Sequence, residues 1–176
     1  MAIKPTIYKF NLVLSDLNRD HYQDLNLTLA LHPSETRERM VARLLACCIN
    51  ADSELRFTKG LSEVEEPDLW RKSLDDQIDL WIDVGEPEPD RIKKACRKAK
   101  RVLIYSFNTK SDVWWEQSRT KFNQLPAEFY RIQWEGIQTI VSQIGRTTAM
   151  SVLITGESAF VTTESGECEV SWQQLE

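Results

Sequence analysis

The fold prediction rests on the segment Gln77-Ile78-Asp79-Leu80-Trp81-Ile82-Asp83-Val84-Gly85. Its alternation predicts a β-strand, because successive side chains of a strand point to opposite faces. The aliphatic residues share one face, and Asp79, Trp81 and Asp83 share the other. Carboxylates among apolar neighbours are costly unless water, a partner or a metal meets them. We therefore expect a functional site on the acidic face.

The composition predicts one globular domain spanning residues 1–176. A chain of 176 residues suffices for one core of ordinary size, and 41% hydrophobic with 28% charged residues is typical of a folded protein. No apolar run is long enough to cross a bilayer, and the N-terminus lacks the apolar core of a secretion signal. Neither the four cysteines nor the two histidines have the spacing of a zinc site. We expect a cytoplasmic protein with buried free thiols.

Both ends of the chain predict antiparallel strands. Alternating leucines and aromatic residues over 8–14 and 25–31 predict a hairpin, and residues 149–172 predict a three-strand meander with turns at Gly156 and Gly166. Between them the period changes to that of a helix, for which Ser34 is the expected N-cap.

A second helix is predicted directly after the acidic strand. Glu86-Pro87-Glu88-Pro89-Asp90 is typical of a helix start, and the apolar run 102–107 predicts a parallel strand reached by a right-handed crossover. The intervening residues are strongly basic: Arg91, Lys93, Lys94, Arg97, Lys98, Lys100 and Arg101. This basic helix is either a phosphate-binding surface or an ordinary solvated face.

The order of elements over residues 34–107 resembles the core of restriction-endonuclease-like nucleases, the PD-(D/E)xK superfamily. Pro67-Asp68 resembles the first part of that motif, and Trp81-Ile82-Asp83-Val84-Gly85 resembles the second, with glycine where lysine should stand. The resemblance implies an α+β fold with an αβββαβ core, in which a mixed sheet is flanked by helices.

More narrowly, the chain resembles the YaeQ family of small bacterial proteins over nearly its full length. The motifs that carry the resemblance are Thr6-Ile7-Tyr8-Lys9, His32-Pro33-Ser34-Glu35-Thr36, Glu38-Arg39-Met40, Ile78-Asp79-Leu80-Trp81-Ile82 and Arg91-Ile92-Lys93-Lys94-Ala95-Cys96. This family implies the nuclease-like fold with an additional N-terminal hairpin and C-terminal antiparallel strands. It implies no established biochemical activity.

A metal-dependent nuclease of this kind would hold Mg²⁺ or Mn²⁺ between carboxylates. We expect Asp83 as the central ligand, completed by Asp68 and Glu38. Asp79 lies four residues from Asp83, about 13 Å along a straight strand at ~3.3 Å per residue, so it would only support the site. Glu38 is alternatively an ordinary N-terminal helix acid bound by backbone amides.

The lysine position of the motif leaves two hypotheses open. Lys93 or Lys94 on the basic helix could replace the lysine absent at Gly85 and stabilise charge on a phosphate, which predicts a metal-dependent phosphodiesterase or nuclease. Otherwise the glycine marks a fold that has lost its chemistry and binds nucleic acid or a protein partner.

For nucleic acid, the expected contacts are Arg91, Lys94, Arg97 and Lys98. Trp81 could stack on a base, although packing between the sheet and its covering helix is the more common role.

Overall fold

The computed structural model describes residues 4–59, 61 and 63–176. The chain divides into two compact units, residues 1–49 with 133–172, and residues 50–132 with 173–176. Helices and both parallel and antiparallel strands occur, which confirms the α+β class. The expectation of a single domain stays a prediction. Within the described ranges no helix is long and apolar enough to span a membrane.

The first unit is a five-stranded sheet with two helices. Its strands lie in the order β2-β1-β8-β9-β10, in which β1 and β8 are parallel and the other pairs antiparallel. The elements are β1 (Thr6–Asp16), β2 (His21–Leu31), α1 (Arg37–Ile49), α4 (Trp134–Gln143), β8 (Thr147–Thr155), β9 (Ser158–Thr163) and β10 (Gly166–Leu175), whose last residues group with the second unit.

The hairpin and the meander are confirmed. β1 and β2 pair from Thr6 opposite Leu31 to Asp16 opposite His21, and alternate residues of β1 are buried, as a sheet covered on one face requires. Gly156 occupies the β8–β9 turn with φ +60°, a conformation that favours glycine.

The start of α1 differs from the prediction. Thr36, not Ser34, caps the helix: its Oγ1 accepts a hydrogen bond from the Arg39 amide at 3.1 Å. Ser34 instead bonds the His32 ring, because residues 32–35 form a turn closed by the Glu35 amide and the His32 carbonyl. The buried acid of this segment is therefore Glu35, which accepts two hydrogen bonds from Arg43 at 2.8 Å.

The second unit carries a mixed sheet in the order β7-β6-β5-β4-β3. β5, β6 and β7 are parallel, whereas β3, β4 and β5 pair antiparallel. The elements are β3 (Leu55–Phe57), β4 (Leu69–Lys72), β5 (Ile78–Val84), α2 (Pro89–Lys98), β6 (Ala99–Ser106), α3 (Ser111–Phe122) and β7 (Ala127–Ile132). The parallel crossover through α2 is thus confirmed.

The basic helix is shorter than predicted. It ends at Lys98, and Lys100 and Arg101 lie on β6, where they form ion pairs with Asp79 and Glu128 respectively. The strand begins early because residues from Ala99 onward pair with β5, starting opposite Ile78. The buried row that α2 itself contributes is Ile92 and Ala95.

The acidic face of β5 is covered rather than open to solvent. Trp81 belongs to an apolar cluster with α2 and α3, in which the ring centroids of Trp115, Phe122 and Phe129 lie 4.8–5.6 Å apart. The cluster comprises Trp81, Ile92, Ala95, Val102, Ile104, Trp115, Phe122 and Phe129. The packing role expected for Trp81 is confirmed.

Candidate functional site

Asp68, directly before β4, and Asp83 on β5 are brought together in the second unit. β4 pairs with β5 through Leu69 opposite Ile82, and the Asp68 amide donates to the Ile82 carbonyl at 3.0 Å, so the register places Asp68 opposite Asp83. Both residues are buried, at 5% and 2% exposure. Two buried carboxylates on one sheet face need partners to offset their desolvation.

Arg91 supplies the partner of Asp83. Its Nε donates to Oδ2 at 2.9 Å and its Nη2 to Oδ1 at 3.2 Å, a two-pronged ion pair. The same guanidinium donates to the carbonyls of Val64 and Glu66 at 2.7 and 3.0 Å. Arg91 therefore joins α2 and the segment preceding β4 to the carboxylate of β5.

Asp68 uses a different kind of partner. Its Oδ2 accepts a hydrogen bond from the Val84 amide at 2.8 Å, directly after Asp83 in the chain. This bond fixes the carboxylate against the end of β5.

The surroundings of Asp83 favour the protonated carboxyl more than water favours the protonated form of a free aspartate. Burial raises the pKa of Asp83, and the neighbouring charge of Asp68 adds to the increase, whereas the Arg91 guanidinium and the Trp81 indole act in the opposite direction. Desolvation is the larger effect. The ion pair with Arg91 therefore reduces the free-energy cost of burying the Asp83 carboxylate, but part of that cost remains.

Gly85 is required by the backbone. Its φ of +124° lies in a region that L side chains rarely adopt, although a Cβ built there would meet nothing within 4 Å. The Gly85 amide donates to the Tyr105 carbonyl at 2.8 Å, which fixes this conformation at the end of β5. A lysine at this position would be strained, so any cation must come from another element.

That element is α2, which lines one side of a cleft beside the Asp83 ion pair. The cleft has a volume of about 190 Å³ and is lined by Val64, Glu65, Trp81, Arg91, Lys94, Ala95 and Lys98. Three cationic side chains thus surround an opening whose inner wall consists of Trp81 and Ala95. Of the two lysines predicted to replace the motif lysine, Lys94 lines this cleft, and Lys93 is exposed on α2.

Trp81 forms part of the buried base of the cleft. The residue is 3% exposed, and although its indole influences the pKa of Asp83, the Nε1 atom completes no hydrogen bond. Lys98 Nζ lies 5.8 Å from the centroid of the indole ring.

An acidic segment, Glu63–Glu66, borders the cleft on the side opposite α2. Glu65 Oε2 accepts a hydrogen bond from Lys98 Nζ at 3.0 Å. That bond and the charges of Lys98, Lys94 and Arg91 hold the pKa of Glu65 below its usual value. The sequence did not predict this contact, although the acidic residues 63–66 and the basic residues of α2 have complementary charges.

The remaining predicted residues are distributed more widely. Asp79 Oδ1 lies 3.2 Å from Lys100 Nζ, in a geometry that does not complete a hydrogen bond. Glu38 is half-buried in the first turn of α1, in the first unit, and Arg97 is exposed on α2. Among the described residues, no group of three or more His, Cys, Asp or Glu side chains could hold a metal ion. The metal-site assignment of Asp83, Asp68 and Glu38 stays a prediction.

Comparison with known proteins decides the family. The family model described as YaeQ protein matches residues 1–172. The chain belongs to the YaeQ family. It is 37% identical, over 99% of both chains, to the uncharacterized protein YaeQ of Escherichia coli (strain K12), and 47% identical to that of Salmonella typhi over 70% of this chain and 69% of the relative.

Solved structures of the YaeQ family share the fold. The YaeQ protein from Xanthomonas axonopodis pv. citri superposes with a TM-score of 0.93 at 30% identity, covering 98% of both chains. The YaeQ protein from Pseudomonas syringae gives a TM-score of 0.92 at 36% identity, covering 98% of this chain and 96% of that one. The family resemblance seen in the sequence is confirmed, and the strands at both ends are part of the family fold.

Proposed function

We propose that this protein binds nucleic acid through the cleft between α2 and the acidic segment, without cleaving it. The observation that carries the proposal is the position of two exposed lysines of α2, Lys94 and Lys98, on one cleft beside the Arg91 guanidinium. Phosphate oxygens accept hydrogen bonds from both lysine ammonium groups. Buried Asp83 is already bound by Arg91, which favours binding over metal-dependent chemistry at this position.

Nucleic acid fits this cleft better than an acidic protein segment does. Val64, an exposed lining residue, gives the cleft an apolar surface beside the lysines, so a ligand that combines a phosphate with an aromatic base contacts both. The chain as a whole carries a net charge of −5, so the attraction is local to α2. We therefore expect weak, salt-sensitive binding without strong sequence preference.

Binding is tested with a fluorescein-labelled single-stranded 12-mer, followed by anisotropy from 25 to 300 mM salt. Lys94→Gln and Lys98→Gln should each weaken binding several-fold at low salt and reduce the slope of log K against log salt by about 0.7, the value for one phosphate contact. Lys9→Gln, an exposed lysine of β1, is the matched control and should leave both quantities unchanged. Equal affinities for all four proteins would refute the cleft as the binding site.

A second candidate function is the metal-dependent nuclease implied by the superfamily resemblance. One observation favours it: Asp68 and Asp83 lie on one sheet face, with the Arg91 guanidinium as the cation between α2 and β5. As arranged, the carboxylate oxygens do not fit a metal ion, since Arg91 binds both oxygens of Asp83. Mg²⁺ or Mn²⁺ would have to displace it. This hypothesis includes Glu38 as a third ligand and Asp79 as a supporting residue. It also includes Lys93 or Lys94 as the replacement lysine.

Thermal melting with and without 5 mM Mn²⁺ tests the second candidate. A ligand that binds only the folded protein raises its Tm by mass action. Under this hypothesis the parent gains stability in Mn²⁺, Asp83→Asn does not, and oligonucleotide cleavage follows the same pattern. If both proteins melt identically with and without the metal, the metal-dependent function is rejected and the binding function is unaffected.

A further inference from the structure

The cleft already contains an anion supplied by the protein itself. Glu65 reaches across to Lys98 at 3.0 Å, although its side chain is 75% exposed and has no burial to hold it there. The neighbouring carbonyls of Val64 and Glu66 accept hydrogen bonds from Arg91. The acidic segment is therefore attached to two of the three cations that line the cleft.

In these contacts the protein's own oxygens accept hydrogen bonds from the cations of α2, as the oxygens of an anionic ligand would. The Glu65 carboxylate accepts from Lys98 Nζ, as a phosphate oxygen would accept from the same ammonium group. The Glu65–Lys98 contact is solvent-exposed on both sides, at 75% and 42%, so it is weak and exchanges readily. A polyanion that approached α2 would meet Lys98 only after this carboxylate moved away.

We propose that the Glu65 carboxylate occupies a phosphate subsite at Lys98, so that segment Glu63–Glu66 is an internal competitor of the nucleic acid. The inference rests on the proposed binding function and names the subsite that the ligand takes. Binding exchanges one anion for another at Lys98, while the ion pair of Arg91 with Asp83 keeps α2 in place. The segment thus lowers affinity and raises selectivity for ligands of high charge density.

Removing the competing charge should strengthen binding. Glu65→Gln keeps the size of the side chain and loses its charge, so affinity for the labelled 12-mer at 50 mM salt should rise by about two- to fivefold, as expected for an exposed ion pair. The gain should diminish at 300 mM salt, where exposed charges are screened. Glu157→Gln, an exposed acid of the β8–β9 turn, makes the same change in net charge and should alter affinity little.

A double-mutant cycle separates competition at Lys98 from a general charge effect. In the Lys98→Gln background the phosphate subsite is lost, so Glu65→Gln should change affinity by less than about 1.5-fold. Hydrogen exchange supplies an independent readout: adding the 12-mer should accelerate exchange of the amides of residues 63–66 as the Glu65 side chain is displaced from Lys98.

The outcomes distinguish the two proposals. If the parent binds through Lys98 but Glu65→Gln binds no tighter, or gains equally with and without Lys98, the competitor assignment is overturned and the binding function stands. If neither the parent nor Glu65→Gln binds the 12-mer at low salt, both are overturned. Tighter binding that depends on Lys98, together with faster exchange at 63–66, supports the inference.

Discussion

Replacing Arg91 with methionine should destabilise the protein through the carboxylate that it leaves behind. Asp83 has a side chain only 3% exposed, and Arg91 donates to both of its oxygens. Removing one partner of a buried ion pair costs about 3–5 kcal/mol, because the other charge stays buried and unpaired. Since the Arg91 side chain is 34% exposed, water reaches part of the pair, and we expect a loss of about 2–3 kcal/mol.

The pH dependence identifies the cause. Burial already raises the pKa of Asp83, and loss of the guanidinium raises it further. A carboxyl whose pKa is higher in the folded than in the unfolded state binds protons preferentially in the folded state, so stability rises as the pH falls. The loss caused by Arg91→Met should therefore shrink between pH 7.5 and pH 5. In Arg91→Met/Asp83→Asn, which lacks the charge, more than half of the loss at pH 7.5 should be recovered.

Urea unfolding at both pH values, followed by circular dichroism and tryptophan fluorescence, measures these differences. Arg97→Met is the matched control, because Arg97 is exposed on the same helix, and it should stay within about 0.5 kcal/mol of the parent. The reasoning is refuted if Arg91→Met is as stable as Arg97→Met, or if its loss is the same at pH 5 as at pH 7.5.

Two other sites give independent predictions. A Cβ on Gly136 would lie 2.7 Å from Val170 Cβ, so Gly136→Ala should cost about 1–3 kcal/mol in thermal or urea unfolding, whereas Gly145→Ala, with open space around it, should cost much less. Although burial alone would raise the pKa of Asp52, hydrogen bonds from Arg71 and from backbone amides hold it below its usual value. The stability that ionised Asp52 gives the folded protein is therefore present above the pKa of an unfolded aspartate, about 3.9. It is lost as the pH falls through the pKa of Asp52 in the folded protein. Asp52→Asn should cost about 0.5–1 kcal/mol at pH 7 and almost nothing near pH 2.5; a constant difference across that range would contradict the assignment.

Much of the fold could be predicted from the sequence because the signals are local. Alternation over β1 and β2 and the run through β5 set which residues face the core, and glycines mark the turns of the last three strands. The errors were also local: Thr36 rather than Ser34 caps α1, because a preceding turn takes up Ser34. The helix after β5 ends at Lys98, because pairing with β5 outweighs the helical propensity of the following residues.

The candidate site was predicted in part. The sequence singled out Asp68, Asp83 and Lys94 as residues of one site, and the structure places the two carboxylates opposite each other and Lys94 in the adjacent cleft. It treated Arg91 as a surface cation, whereas the structure pairs it with Asp83. No sequence pattern distinguishes an arginine that binds phosphate from one that neutralises a buried acid.

Periodicity, composition and short motifs are properties of neighbouring residues, and they are enough to establish the class of fold, the family and the charge of α2. The partners of those charges follow from long-range contacts that the sequence pattern does not contain. Arg91 meets Asp83 eight positions away, and Lys98 meets Glu65 thirty-three positions away. Such contacts arise because sheet register and helix packing bring distant segments together, and they establish which cations neutralise the protein's own acids and which line the cleft.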